Sequence, residues 1–391
     1  MNGKIDVLIV DDSALMRNLI GRIVESAPDL AVVGKAMNGV FAVQKIPSLN
    51  PDIIILDLEM PEMNGIEFLK KRRELKWEIP VIILSSIARR GAEITMEALA
   101  LGAADFIKKP SGSVSEDIHL VGDHLIELIR VYGGRYQRSK GISRAEARPE
   151  TTKPETARTE IPRVEVKPEP KHELRPETRA VDRPPVSPPV LRSHKDLHIL
   201  AIGISTGGPN ALRTVFAALE ADFPLPVVVV QHMPAGFTAE FARSLDKICP
   251  LEVKEAQEGD LVRKGRILIA PGDYHLEVER KSLATVAHLH QQDLCNGHRP
   301  SAGVLFRSVA HQFGAQAMGL IMTGMGRDGA AELGEIHRAG GLTLAQDEAT
   351  SVVFGMPRVA IELGNVEKIV GLSETAGVLN KLAKEMASRS L

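Results

Sequence analysis

Short apolar runs separated by amphipathic stretches fill the first third of the chain. Apolar positions cluster at 7–10, 31–34, 53–56, 81–84 and 105–107, and segments such as 13–26 and 65–74 carry apolar residues at helical spacing. Runs this short read as strands, and strands alternating with amphipathic helices predict a parallel sheet covered on both faces. The alternation returns after residue 197, with strands expected at 199–204, 226–230, 266–270 and 319–322 and an extra hairpin at 274–278 and 285–289. Between the halves it stops. Residues 139–196 are dense in Pro, Glu, Arg and Lys and nearly lack aromatics. Such a segment cannot bury enough apolar surface to offset its chain entropy, so a disordered, semi-extended linker is expected. A flexible chain of that length spans roughly 40 Å, which lets the flanking domains dock or separate without strain. The pattern therefore divides the chain into 1–125 with a helical extension to about 138, the linker at 139–196, and a mostly parallel α/β domain at 197–391.

Composition narrows the function classes. The 391 residues are 44% hydrophobic, enough for two ordinary cores. A formal net charge of −2 gives no global electrostatic case for nucleic-acid or membrane binding. The two cysteines, Cys249 and Cys295, lie far apart and outside any metal-ligand spacing, as in a reducing compartment. The first residues show no extended apolar segment or cleavage-site pattern, and no run approaches the roughly 18–20 apolar residues that span a bilayer. A cytoplasmic protein, neither exported nor inserted in a membrane, is expected.

Asp11 and Asp12 follow the first strand and Asp57 follows the third. Parallel strands bring those ends together, and crowded carboxylates repel one another unless a cation sits among them. Oxygen-only ligands suit Mg²⁺, which also neutralises an incoming phosphoryl group. Ser85 ends the fourth strand and Lys109 the fifth, a hydroxyl and an ammonium suited to a phosphoryl oxygen. Taken singly, each aspartate could equally cap a helix; Asp12 or Ser13 would cap the first.

The second domain opens on HILAIGISTGGP, an apolar strand leading through Gly203-Ile204-Ser205-Thr206-Gly207 into a helix that Pro209 begins. A serine on a glycine-flanked strand-to-helix turn has its hydroxyl pushed out of the sheet beside backbone N–H groups, the geometry a carbonyl-attacking nucleophile needs. His232, at the end of the strand PVVVVQ, is the best-placed base, with His275, His288, His290, His298 and His311 as rivals. Asp328, in the glycine-rich loop TGMGRDG, is the best-placed orienting carboxylate, against Asp260, Asp273, Asp293 and Asp347. A metal site at His288 and His290 and a phosphate cradle at Gly203–Gly208 stay open as alternatives, although the cradle lacks the Lys-Ser/Thr ending of a P-loop. The order Ser, His, Asp differs from that of the α/β-hydrolase fold, so the triad rests on geometry.

The motifs VDDS, LDLEMPEMNG, LSS and KKP resemble the (βα)₅ receiver domain of two-component response regulators over about residues 3–125. The resemblance implies that Asp57 is the phosphoacceptor, and that Asp12, Asp57 and the Glu59 carbonyl hold Mg²⁺ with Asp11 in support. It also implies Ser85 as the switch hydroxyl, Lys109 as the phosphate partner and Phe106 as the aromatic that changes rotamer. GISTGGP, QHMPAGFT, APGDYHL, TGMGRDGA and AQDEATSVVFGMP resemble the doubly wound catalytic domain of chemotaxis protein-glutamate methylesterases, the CheB family. That implies Ser205 as nucleophile, His232 as base, Asp328 as orienter, Thr206 beside the nucleophile and the Met325 N–H as oxyanion donor, with no cofactor for the esterase reaction. The implied substrates are glutamate methyl esters and glutamines of methyl-accepting chemoreceptors, and the implied phosphodonor is the chemotaxis histidine kinase CheA. The linker is the departure, being longer and richer in proline than a short hinge. Rival readings are a non-catalytic nucleotide-binding output, a DNA-binding output and an esterase for small molecules. Against the DNA-binding reading, no helix-turn-helix pattern or basic cluster follows the linker.

Overall fold

The computed structural model describes residues 3–85, 89–109, 117–146 and 196–387. In the first domain β1 (Ile5–Val10), β2 (Leu30–Ala36), β3 (Ile53–Asp57), β4 (Val81–Ser85) and β5 (Asp105–Lys108) form one parallel sheet of order β2-β1-β3-β4-β5. Every residue of β3 and β4 is buried, as expected of parallel strands covered on both faces. The covering helices are α1 (Ala14–Glu25), α2 (Gly39–Leu49), α3 (Gly65–Glu74), α4 (Arg89–Ala100) and α5 (Asp117–Leu128). Ser13 caps α1, accepting from Met16 N–H, which leaves the Asp11 and Asp12 carboxylates for the sheet edge.

A single π turn, Ile129–Gly133, leads from α5 into α6 (Gly134–Glu146). The helical extension therefore runs past residue 138, to Glu146, over the first residues of the expected linker; residues 147–195 of that linker lie outside the described residues. Helix α6 is strongly polar, so no apolar stripe marks it in the sequence. Its hold on the first domain is also polar: Lys140 Nζ reaches Asn50 O at 2.9 Å, Pro51 O at 3.0 Å and Asp52 Oδ1 at 3.0 Å.

The second domain carries β6 (Ile199–Ile204), β7 (Val227–Gln231), β8 (Glu252–Glu255), β9 (Arg266–Ile269), the hairpin β10 (His275–Arg280) and β11 (Thr285–His290), then β12 (Ala317–Ile321), β13 (Leu342–Gln346) and β14 (Lys368–Val370). Its main sheet has the order β14-β13-β12-β6-β7-β9-β8, parallel throughout, with the antiparallel hairpin standing apart. The helices are α7 (Gly208–Ala217), α8 (Thr238–Asp246), α9 (Ala302–Phe313), α10 (Ala330–Arg338), α11 (Met356–Glu362) and α12 (Leu372–Ala387). Strands β8, β13 and β14 add to those expected from the sequence. Two are short edge strands rich in charge, and β13 buries Thr343 and Gln346 within its run.

The order reverses at β6, which lies between β12 and β7, so the ends of those three strands meet at the crevice where doubly wound sheets bind ligands. The first domain sits over that edge. Phe106 packs on Phe237 with ring centroids 4.9 Å apart, and Asn210 Nδ2 donates to Ala103 O at 3.0 Å and Ala104 O at 3.1 Å. One buried apolar cluster continues from Phe68 and Met96 to Phe237 and Phe241.

Candidate active site and phosphoacceptor pocket

Ser205 follows β6 on the turn into α7. Its N–H donates to Thr323 O at 3.0 Å and its carbonyl accepts from Gly208 N–H at 2.7 Å. Gly207 sits at φ 77°, where a Cβ would also lie 2.7 Å from Val352. That left-handed position is what lets the turn be this tight. The loop after β12 approaches equally closely: a Cβ on Gly324 would lie 2.8 Å from the Ser205 Cβ.

His232 follows β7, with its N–H on Ile204 O at 3.1 Å. Its Nδ1 lies 3.1 Å from Ser205 Oγ and its Nε2 2.8 Å from Asp328 Oδ2. A carboxylate only accepts, so Nε2 carries the proton and Nδ1 is the acceptor facing the serine. Gln231 braces the pair, its Nε2 donating to Ser205 O and His232 O, both at 3.0 Å.

Asp328 is buried and held from several sides. Ser301 Oγ donates to Oδ1 at 2.6 Å, Asn296 Nδ2 to Oδ1 at 3.0 Å and Ala302 N–H to Oδ2 at 2.6 Å. The last donor belongs to the first turn of α9, whose positive end favours a carboxylate. Burial by itself would push the carboxyl up, but the hydrogen bonds from His232, Ser301 and Asn296 outweigh it and bring its pKa down to about 2. Asp328 therefore stays ionised beside His232.

Sequence reasoning missed Gln231 and most of the loop that makes these contacts. Cys295 and His298 exchange backbone hydrogen bonds of 3.1 and 3.0 Å around Asn296 (φ 53°) and Gly297 (φ 81°). Two positive φ values at Asn-Gly mark a tight two-residue turn, a signal that was present in the sequence. The turn aims Asn296 at Asp328 and lays the His298 ring on His232, with centroids 3.9 Å apart and planes 14° apart. Of the rival bases, His298 thus lies against His232. His275 is buried in a structural role, its Nδ1 accepting from Ser301 N–H at 3.3 Å. His288 and His290 stand on β11 beside Glu258 and Glu277. Among the described residues, only Asp11, Asp12 and Asp57 bring three metal-ligating groups together.

A cavity of about 420 Å³ opens onto Ser205 and His232, and Thr206, Met325 and His298 line it. Among the described residues, the backbone N–H groups of Thr206 and Met325 have no acceptor. The far wall is the first domain: Asp105, Phe106, Ile107, Lys108, Val121 and His124.

In the first domain, carboxylate oxygens of Asp11, Asp12 and Asp57 lie within 4.8 Å of one another. Lys109 Nζ lies 2.7 Å from Asp57 Oδ2 and 3.2 Å from Asp11 Oδ2. The latter oxygen is buried without completing a hydrogen bond. Burial pushes the Asp57 carboxyl up against the pull of Lys109, while Asp57 and Asp11 hold the Lys109 ammonium above its ordinary value in spite of burial. Glu59 N–H donates to Asp57 Oδ1 at 3.2 Å. Ser85 Oγ is turned toward α4, 2.5 Å from Thr95 Oγ1.

The family model described as CheB methylesterase matches residues 200–379, and that of the response regulator receiver domain matches residues 7–118. The chain is 52% identical over 383 residues to a protein-glutamate methylesterase/protein-glutamine glutaminase of Treponema denticola, covering 98% of this chain and 99% of that one. It is 51% identical over 399 residues to a Treponema pallidum protein of the same name, covering 98% of each. The crystal structure of the Thermotoga maritima CheB methylesterase catalytic domain is 37% identical and covers 48% of this chain and 99% of that one, with a TM-score of 0.47.

Proposed function

The chain belongs to the CheB methylesterase family and carries a response regulator receiver domain in front, and on that premise we propose that Ser205, His232 and Asp328 hydrolyse glutamate methyl esters of chemoreceptors under the control of Asp57. The observation that carries the reading is the unbroken chain Ser205 Oγ, His232 Nδ1, His232 Nε2, Asp328 Oδ2, with links of 3.1 and 2.8 Å.

His232 takes the Ser205 proton as Oγ attacks the ester carbonyl. Asp328, already ionised, stabilises the imidazolium that forms. Thr206 and Met325 line the cavity in which the carbonyl oxygen gains charge, and in this reading their N–H groups are its donors; one such donor is worth roughly 3–4 kcal/mol in comparable sites. The C–O bond breaks, His232 returns the proton and methanol leaves. A water molecule, deprotonated by His232, then cleaves the acyl-enzyme, freeing glutamate and Ser205. With a glutamine side chain the same steps release ammonia, which is the glutaminase activity in the relatives' name.

Regulation follows from the wall that the receiver builds across the cavity. In this state the receiver limits substrate access. A phosphoryl group on Asp57 adds about −1.5 to −2 charge and acceptor oxygens within reach of Lys109. Drawing Ser85 and Phe106 toward it would loosen Phe106 from Phe237. Three carboxylates and a buried oxygen without a hydrogen bond fit a Mg²⁺ ion, held by Asp12, Asp57 and the Glu59 carbonyl with Asp11 in support. Such an ion neutralises charge on a phosphoryl group during transfer. The chemotaxis histidine kinase CheA is the phosphodonor in this reading, and the cytoplasm is the compartment. No described helix is long and apolar enough to cross a membrane.

The test is methanol release from methylated chemoreceptor, with and without acetyl phosphate, beside Ser205→Ala. Release that requires Ser205 and rises with acetyl phosphate supports the reading. Undiminished release by Ser205→Ala overturns the triad, and release indifferent to phosphodonor overturns the regulation.

A further inference from the structure

We infer that His298 is a positioning residue for this reaction: its ring lies flat against His232 and holds the base in the one orientation that serves Ser205 and Asp328 together. The inference rests on the hydrolytic reading of the site. His232 must keep Nδ1 on the serine and Nε2 on the carboxylate at once. The terminal torsion of a histidine has broad wells, so two hydrogen bonds at the ring edge leave its plane free to tilt. A second ring at 3.9 Å and 14° removes that freedom from one face.

The supporting loop is built to hold this second ring. The Asn296-Gly297 turn locks His298 through the paired hydrogen bonds to Cys295. The next residue, Arg299, clamps the loop to its surroundings, with Nε and one terminal nitrogen on Asp273 Oδ1 at 3.0 and 2.6 Å and the other on Gln291 O and Gln292 O at 3.2 and 3.0 Å. Ser301, three residues after His298, is pinned by His275 and itself donates to Asp328. One stretch of seven residues, 295–301, thus orients both the base and its carboxylate.

Charge agrees with the packing. The groups that act on His298 are His232, Asp328 and, from α5 of the receiver, His124. Burial, followed by the neighbouring His232, lowers the His298 pKa to about 4. It therefore remains neutral while His232 takes up a proton during catalysis; two imidazolium rings at this spacing would repel. A neutral planar ring is what the position requires, and its nitrogens do not enter the argument.

The experiment compares the full chain with His298→Ala, His298→Phe and His298→Gln, all with acetyl phosphate, measuring kcat and KM for methanol release from methylated receptor. Misplacing a reacting group by about 1 Å costs on the order of 100-fold, so His298→Ala should lower kcat about 10–100-fold with KM little changed. His298→Phe restores the flat neutral surface and should recover most of the lost kcat, whereas His298→Gln should stay near the alanine variant. Wild-type rates in His298→Ala overturn the inference. So does a glutamine variant that works while the phenylalanine variant does not, because the nitrogens would then matter and not the ring. Thermal unfolding identifies any variant that fails to fold; should alanine be that one, the phenylalanine and glutamine pair decides. Labelling of Ser205 by a fluorophosphonate separates the two levels. An unlabelled, inactive wild type removes the hydrolytic reading and this inference with it, whereas a labelled, active wild type with unaffected variants removes the inference alone.

Discussion

Asp105 Oδ2, at the start of β5 in the receiver, accepts a hydrogen bond at 3.1 Å from the backbone N–H of Gly207, two residues beyond Ser205. The same oxygen accepts from Tyr132 O–H at 3.1 Å, and Oδ1 accepts from Phe106 N–H at 2.9 Å. Burial pushes the Asp105 carboxyl up against these donors. A receiver side chain therefore sits at the positive end of α7, on the turn that carries Ser205, and adjoins the aromatic residue that packs on Phe237.

If these contacts hold the receiver over the cavity, weakening them should raise activity before any phosphorylation. Asn210→Ala removes two hydrogen bonds to the receiver, to Ala103 O and Ala104 O. Each such bond is worth roughly 0.5–1.5 kcal/mol and two are lost, so methanol release without phosphodonor should rise about 5-fold or more in this variant, with the phosphorylated rate little changed. Asp105→Asn should act in the same direction. Unaltered basal rates in both would show that docking does not depend on these bonds.

Phosphorylation control should be separable from hydrolysis. Asp57→Asn should keep the basal rate of the wild type and lose the response to acetyl phosphate. Chelating divalent metal with EDTA should do the same to the wild type, because the Asp11, Asp12 and Asp57 carboxylates that would hold the ion lie in the receiver, apart from Ser205, His232 and Asp328. The ratio of rates with and without acetyl phosphate is the measurement, and a D57N ratio equal to that of the wild type contradicts the account.

Asp328 should leave a mark on stability as well as on rate. Its folded pKa of about 2 lies below its ordinary value of 3.8. The stability it contributes is therefore fully present above pH 3.8 and lost as pH falls through about 2. A shift of this size corresponds to about 2 kcal/mol for a buried group. Urea unfolding of wild type and Asp328→Asn should show a gap at pH 7 that narrows by pH 3. A gap that widens on acidification would mean that the donors around Asp328 do not favour the charged form.

Asn296 offers a graded test of the carboxylate's surroundings. Asn296→Ala removes one of several donors to Asp328 and should lower kcat modestly, by about 2–10-fold. Asn296→Asp sets a like charge where the amide stood 3.0 Å from Oδ1, so it should be the slower of the two. Equal rates would show that the contact is incidental.

The strands that matter most for the site were legible as periodic apolar runs. β1, β3 and β4 and then β6 and β7 are buried on both faces, so their composition announces them. Ser205 and His232 follow such runs directly, and Asp11, Asp57 and Lys109 do so in the receiver. Helix α6 was legible only to about residue 138, because Lys140 and Gln137 attach it by hydrogen bonds to Asn50, Lys4 and Asp52, which leave no apolar periodicity. Strand β13 was missed because Thr343 interrupts its short apolar run and Gln346, which accepts from Thr323 N–H at 2.9 Å, closes it.

The amino-acid sequence by itself determined two α/β domains and the strand ends at which Ser205, His232, Asp57 and Lys109 stand, because burial on both faces of a parallel sheet imposes a local pattern that can be read residue by residue. Only the tertiary structure decided what surrounds them: the His298 ring on His232, Ser301 and Asn296 on Asp328, and Asp105 on Gly207. Each of these contacts joins segments far apart along the chain, and each depends on the direction of one side chain or one N–H. Such contacts repeat at no spacing and so leave no period in the sequence.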